Sequence, residues 1–275
     1  MFRFQQPERK GLSVITDKVA PIRHDVEPWF MSGFDFRCLC EVIGLDRLPF
    51  PLAYRNSKQK YKAELEADRQ TALARQRTGM TKTRLLMLDA LRSPVFLLQG
   101  FGQIGDGAGT RLYRLFGVIG ASGYCAVITQ DPSQETIFGE DIQVIGCVNV
   151  DFPQVVLEAL PDYPPGSRPR MDGLFEDETP AQVLRDARIT DSILLSGSSD
   201  FTKDYALRNE NNLTLINVAD DGAYVVNEGV SSFQIIPATV PNLLAAFKKI
   251  ETAHVKAAEE RLAAARSEQE FNGLP

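Results

Sequence analysis

The chain has 275 residues, 44% of them hydrophobic, enough for one large domain or two small ones around a substantial core. Thirty Lys and Arg against 36 Asp and Glu leave a net charge of −6, which gives a phosphate backbone no basic field to meet and argues against a nucleic-acid partner. No apolar run approaches the roughly 20 residues of a spanning helix, and MFRFQQPERK lacks a signal's apolar core, so a cytoplasmic location without membrane insertion is expected.

In chain order, Gly11–Val19 reads as an edge strand, followed by a turn marked by Pro21 and Pro28. Ser32 can cap a helix whose Phe36, Leu39, Val42 and Ile43 share a face, with Gly44 where a terminating glycine belongs. Cys38 and Cys40, two apart on that helix, point to nearly opposite sides and do not suit a shared metal. With Cys125 and Cys147 they read as reduced thiols. LPFPL, 48–52, breaks regularity. Ser57–Arg77 is a charged helix with the thin stripe Tyr61, Leu65, Ala72 and Leu73, and Thr81–Leu91 is a second helix carrying Leu85, Leu88 and Leu91.

From Val95 the texture changes to short apolar runs between turn residues: VFLLQGF, RLYRLFGVIG, YCAVITQ and IQVIGCV, the pattern of an antiparallel meander. Phe152–Leu160 returns to helical spacing. PDYPPGSRP, 161–169, is too rich in proline to be anything but an extended joint. Beyond it come a short helix near Ala181–Ala187, the strand-like runs SILLSG, NLTLINV, AYVVN and SFQIIP, and a helix from Val240 to about Glu270.

The second sheet segment echoes the first. VIGASGYCA (118–126) and NVADDGAYV (217–225) each read as strand, tight turn and Tyr-bearing return strand, pairing Gly123 with Gly222. DFPQVV (151–156) and TVPNLL (239–244) each set a capping residue before a proline in the first helical turn, pairing Pro153 with Pro241. The expected architecture is α/β of the α+β type, with one continuous antiparallel sheet, a quasi-two-fold internal repeat and helices beside it. The repeat divides 1–161 from 170–256 within a single domain spanning 1–275, with 257–275 as an extended terminal helix and tail.

Gly100-Phe101-Gly102-Gln103-Ile104-Gly105 is a literal GxGxxG after a strand. A dinucleotide site there needs a helix whose N-terminal amides face the pyrophosphate and an acidic residue about 20 positions on. More glycine and another strand follow, so Gly102–Gly109 reads as a mobile hairpin loop that presents Phe101 and Ile104. His24 and His254 are poorly placed as bases. Ser196 and Ser198 lack a nucleophile elbow, and the acidic Glu176-Asp177-Glu178 reads as capping the next helix. No catalytic constellation, cofactor site or metal site emerges.

The order of elements resembles the EspG family of type VII secretion chaperones. It rests on the glycine-then-LPFPL segment, Phe116–Gly123, Ala126–Asp131, ALPDYPPG (159–166) and the hairpin Asp220-Asp221-Gly222-Ala223-Tyr224. The resemblance implies a central antiparallel sheet with quasi-two-fold symmetry flanked by N-terminal and C-terminal helical bundles. It also implies a cytoplasmic, non-enzymatic chaperone holding the apolar tip of a PPE protein of a PE–PPE pair for ESX export. The implied partner surface takes in the sheet, the C-terminal bundle and the long hairpin loop, here Gln99–Thr110. Candidate contacts are Phe101, Gln103, Ile104, Asp106, Ser196, Ser198 and Phe201. The tail beyond Ala257 is longer and richer in Ala and Glu than the family pattern. Two rivals remain open: a nucleotide-dependent oxidoreductase using GFGQIG, and a non-catalytic scaffold that self-associates through the long terminal helix.

Overall fold

The chain builds the same succession twice. In the computed structural model, which describes residues 27–55, 61–105, 109–132, 138–184, 187–199 and 212–272, strand β1 (Trp29–Met31) leads into α1 (Gly33–Val42), α2 (Lys62–Thr78) and α3 (Lys82–Arg92). A meander follows, β2 (Pro94–Ile104), β3 (Arg111–Gly120), β4 (Tyr124–Pro132) and β5 (Gly139–Val148), closed by α4 (Phe152–Ala159). The second pass runs β6 (Met171–Leu174), α5 (Pro180–Val183), β7 (Ile189–Ser198), β8 (Asn212–Val218), β9 (Gly222–Glu228) and β10 (Ser232–Pro237). It is closed by α6 (Val240–Asn272).

The ten strands form one antiparallel sheet in the order β1-β5-β4-β3-β2-β7-β8-β9-β10-β6. That order maps onto itself when β1 exchanges with β6, β2 with β7, and each later meander strand with its counterpart. The quasi-two-fold therefore passes between β2 and β7, which pair antiparallel from Leu97 with Ser198 to Gln103 with Ser192. The fold is α+β, as the sequence pattern predicts.

The detailed pairing of glycines needs correction. In the β3–β4 hairpin Ile119 lies opposite Cys125, centring the turn on Ser122; in the β8–β9 hairpin Val218 lies opposite Gly222, centring it on Asp220. Gly123 thus corresponds to Asp221. Matching it to Gly222 would shift the strand by one residue and send each side chain to the other face. The two turns also differ in backbone: Gly123 has φ of 78°, and in the second turn Asp220 takes φ of 64° ahead of Gly222 at 132°. The helix starts differ too. Thr239 accepts from the Asn242 N–H, whereas Asp151 makes no side-chain cap bond.

Alternation along the strands divides the core into two layers. On one face Phe96, Leu98, Leu115, Cys125, Val127, Ile193, Leu195, Leu213 and Val225 meet Val155 and Val156 of α4 and Leu243, Phe247 and Ile250 of α6. On the other face α1 and α3 cover Phe116, Val118, Ala126, Ile128 and Ile142, with Trp29 and Met31 from β1. A smaller cluster around Tyr224, Phe233 and Ile235 closes the second half with Leu184. Some 33 residues long, α6 extends for about 50 Å.

Helix α2 carries few buried side chains, as its charged sequence predicts, and a polar lock holds it in place. Arg75 donates twice to the buried Asp35 carboxylate, at 2.7 and 3.0 Å, and Gln76 donates to Asp35 and accepts from the Trp29 indole N–H. Ser32 caps α1 through the Asp35 amide, and Thr81 caps α3 through the Arg84 amide. For α5 the cap is Thr179, which completes a capping box with Gln182, and not the acidic run Glu176–Glu178, which lies in the preceding turn. The predicted strand Gly11–Val19 and His24 lie outside the described residues.

Candidate functional site

The GFGQI stretch is strand and not loop. β2 continues through Ile104, with Phe101 opposite Arg114 and Leu194, and Gln103 opposite Leu112 and Ser192. The hairpin connection is accordingly shorter than the predicted Gln99–Thr110, because β3 resumes at Arg111. Close packing of the two central strands accounts for the glycines. A Cβ at Gly102 would overlap the Ser192 carbonyl oxygen and come within 2.6 Å of Ile193 Cα. At Gly100 a Cβ would lie 2.9 Å from Leu195 Cδ2 and 3.0 Å from Leu115 Cβ. Strand β3 begins six residues after the motif, at Arg111, which leaves no room for the α-helix whose N-terminus would face a pyrophosphate.

Strand geometry also separates two candidate contacts. Phe101 and Ile104 differ by an odd number of positions, so they point to opposite faces. Ile104 turns toward α4 and α6 and packs, half-buried, against the core with Tyr113. Phe101 lies on the other face, half-buried, its ring 5.7 Å from that of Phe50 and tilted by 48°. The two therefore cannot form one presented patch. Ser196 and Ser198 share Phe101's face, but they lie farther along β7 and are buried, at 0% and 5% exposure. Asp106 and Phe201 lie outside the described residues.

The ends of the central strands assemble a surface that sequence inspection missed in part. On Phe101's face, exposed Gln103 and Ser192 alternate with half-buried Leu112 and Leu194, and Phe50 reaches in from the LPFPL segment. That segment is held by the buried Gln130 side chain, which donates to the Ala53 carbonyl at 2.8 Å and accepts from the Ala53 N–H at 2.9 Å. Behind this surface, toward the middle of the strands, the face turns polar and buried, with Gln99, Arg114, Ser196 and Ser198. Burial lowers the Arg114 pKa from its ordinary value. Leu112, Ser192 and Leu194 carry no motif, and only the register brings them to Phe101, while Phe50 of LPFPL reaches it from outside the sheet.

Beneath the same strand ends, on the α4 and α6 side, lies a cluster around Asp191. Its buried carboxylate accepts from the Gly105 N–H at 2.6 Å, the Thr190 hydroxyl at 2.7 Å and Asn217 Nδ2 at 2.9 Å, and it hydrogen-bonds the Tyr163 hydroxyl. Burial opposes its ionisation, yet these donors outweigh it and hold the carboxyl below the usual range. Burial raises both Tyr113 and Tyr163.

The groups considered for chemistry remain scattered. His254 stands on α6 with its ring 6.0 Å from that of Phe96. The four cysteines are buried and free; burial, then Glu41, pushes the Cys38 thiol to about 11 and the Cys40 thiol to about 12. Among the described residues no three His, Cys, Asp or Glu side chains gather as metal ligands, and no helix is long and apolar enough to cross a membrane.

No protein-family model and no curated protein matches the sequence. Among solved structures, that of the Mycobacterium tuberculosis type VII secretion system chaperone EspG5 in complex with the PE25-PPE41 dimer is similar. The likeness has a TM-score of 0.54 at 11% identity, covering 82% of this chain and 95% of that chain. At 11% identity the likeness is one of fold and not of sequence. The chain has an EspG-like fold.

Proposed function

We propose that this protein is a chaperone of type VII secretion that binds a PE–PPE pair through the apolar tip of its PPE member and keeps it soluble in the cytoplasm. The carrying observation is the fold shared over 82% of the chain with a chaperone captured in complex with a PE–PPE dimer. The face around Phe50 and Phe101 is where such a partner fits best. It combines half-buried apolar side chains with the exposed Gln103 and Ser192, the mixture of apolar anchors and polar rim that binding surfaces use.

The reading makes the protein a binder and not an enzyme. The oxidoreductase alternative loses its main support because Gly100–Gly102 lie inside a paired strand and the next strand begins at Arg111. The test is co-expression of the full chain with each PE–PPE pair encoded by its source organism, followed by gel filtration. Co-elution of one pair with the chaperone as a single species supports the proposal. A chain that elutes apart from every pair, or that assembles only with itself through α6, overturns it.

A further inference from the structure

The Asp191 carboxylate divides its two oxygens between two tasks. Oδ2 is fixed within the second half, where Thr190 of the same strand and Asn217 of β8 donate to it at 2.7 and 2.9 Å, and Asn217 Nδ2 also donates to Thr190 Oγ1 at 3.0 Å. Oδ1 reaches across the quasi-two-fold into the first half and accepts from the Gly105 N–H at 2.6 Å, 86 residues earlier in the chain. Gly105 directly follows Ile104, the last residue of β2, and has φ of 88°, a left-handed conformation that glycine adopts without strain. Tyr163, from the proline-rich joint between the halves, hydrogen-bonds the same carboxylate. One buried side chain, 8% exposed, therefore joins the residue that follows β2, the start of β7, the end of β8 and the inter-half joint.

The energetics favour a positioning role over simple filling. A charged acceptor makes hydrogen bonds roughly twice as strong as a neutral one, and the Gly105 amide meets the carboxylate in close contact, at 2.6 Å. Ladder bonds to β3 and β7 hold β2 as far as Ile104 and Gln103 respectively. At Gly105 the pairing stops, and Asp191 supplies the next acceptor. From the geometry we infer that Asp191 is the positioning residue for the tip of β2 at Ile104 and Gly105, fixing where the strand end that carries Phe101 and Gln103 is held against the second half. Charge is suited to this task because no described cation competes for the oxygens: the groups donating to the carboxylate are Gly105, Thr190, Asn217 and Tyr163.

Hydrogen–deuterium exchange of the full chain, read on peptides covering residues 104–112, tests the inference in the absence of any partner. In Asp191→Ala the tip exchanges about tenfold faster or more, as expected when a charge-assisted bond to a backbone amide is lost. Asn217→Ala is the control, because it removes an Oδ2 donor and lowers the melting temperature while leaving Oδ1 on Gly105, so the tip keeps its protection. Asp191→Asn retains an oxygen and the volume, and its tip exchange falls between wild type and Asp191→Ala. This variant decides the matter if Asp191→Ala does not fold. An unchanged tip in the Asp191 variants, or equal loss of protection in Asn217→Ala, overturns the inference. The consequence for binding rests on the chaperone reading. With a PE–PPE pair that binds wild type, Asp191→Asn weakens binding and Asn217→Ala does not. If wild type binds no pair, the chaperone reading fails and the exchange result still decides the role of Asp191.

Discussion

Substituting Gly102 by Ala distinguishes a glycine needed for packing from one needed for a phosphate. An added Cβ has nowhere to go, since it meets the Ser192 carbonyl oxygen, Ser192 C at 2.8 Å and Ile193 Cα at 2.6 Å, all of them backbone in the neighbouring strand. Backbone cannot rotate aside as a side chain can, so β2 and β7 must separate locally at the centre of the sheet. Overpacking of this kind costs about 1–3 kcal/mol. Stiffening of the unfolded chain by Ala returns about 0.4–1 kcal/mol. The net loss is about 1–2 kcal/mol, or a fall in melting temperature of about 2–8 °C for a chain of this size. Gly100→Ala falls by less, because one of its near neighbours is the flexible Leu195 Cδ2. Gly109→Ala, with nothing within 4 Å, stays within about 0.5 kcal/mol of wild type. Thermal melts of the three variants check the order. If Gly102→Ala melts together with Gly109→Ala, the packing explanation of the GxGxxG stretch is wrong.

Further outcomes follow from other contacts. Asp35→Ala orphans the buried Gln76 amide and frees Arg75, which is 62% exposed and regains water, so the loss is about 2 kcal/mol and not the 3–5 of a fully buried pair; chemical denaturation measures it. Asp221 is held at about 2 by the Ser167 hydroxyl and amide and by Tyr224. Its folded pKa lies below the unfolded value of 3.8, so its contribution is present above about pH 4 and is lost as the pH falls toward 2. Melts of wild type and Asp221→Asn therefore differ most above pH 4 and converge near pH 2, and a gap that persists at pH 2 contradicts this. Ile104→Asp places a charge against the α4 and α6 core and lowers the melting temperature by several degrees. Phe101→Asp, on the open side of the same strand, weakens partner binding by about 2 kcal/mol with a smaller change in melting, as calorimetry beside the melts will show.

Much of the fold is legible because the decisive signals are local. Ser32, Thr81 and Gly44 mark helix ends through their own side chain or φ, and the apolar runs from Val95 onward alternate with turn residues at regular spacing. The edge strands Trp29–Met31 and Met171–Leu174 escape notice because three or four residues give no period and owe their pairing to β5 and β10. The match of Gly123 to Gly222 is off by one residue because glycine marks a turn without fixing its centre. The site is less legible than the fold. GFGQIG looks like a loop because glycines usually mean one, whereas here they let β7 approach. Phe50, Leu112 and Leu194 come from three separate segments, and Asp191 is linked to Gly105 across 86 residues, so neither grouping leaves a trace in linear spacing.

The most direct test measures the mass of the purified assembly by light scattering and, in the same sample, the hydrogen-exchange footprint of the partner on the full chain. The account predicts one copy of this protein with one PE–PPE pair. It also predicts protection concentrated at the ends of β2, β3 and β7 and at Phe50, on the face away from α4 and α6. A stable complex whose protection falls on α4 and α6 instead, or a chain that forms no complex with any pair, would contradict it.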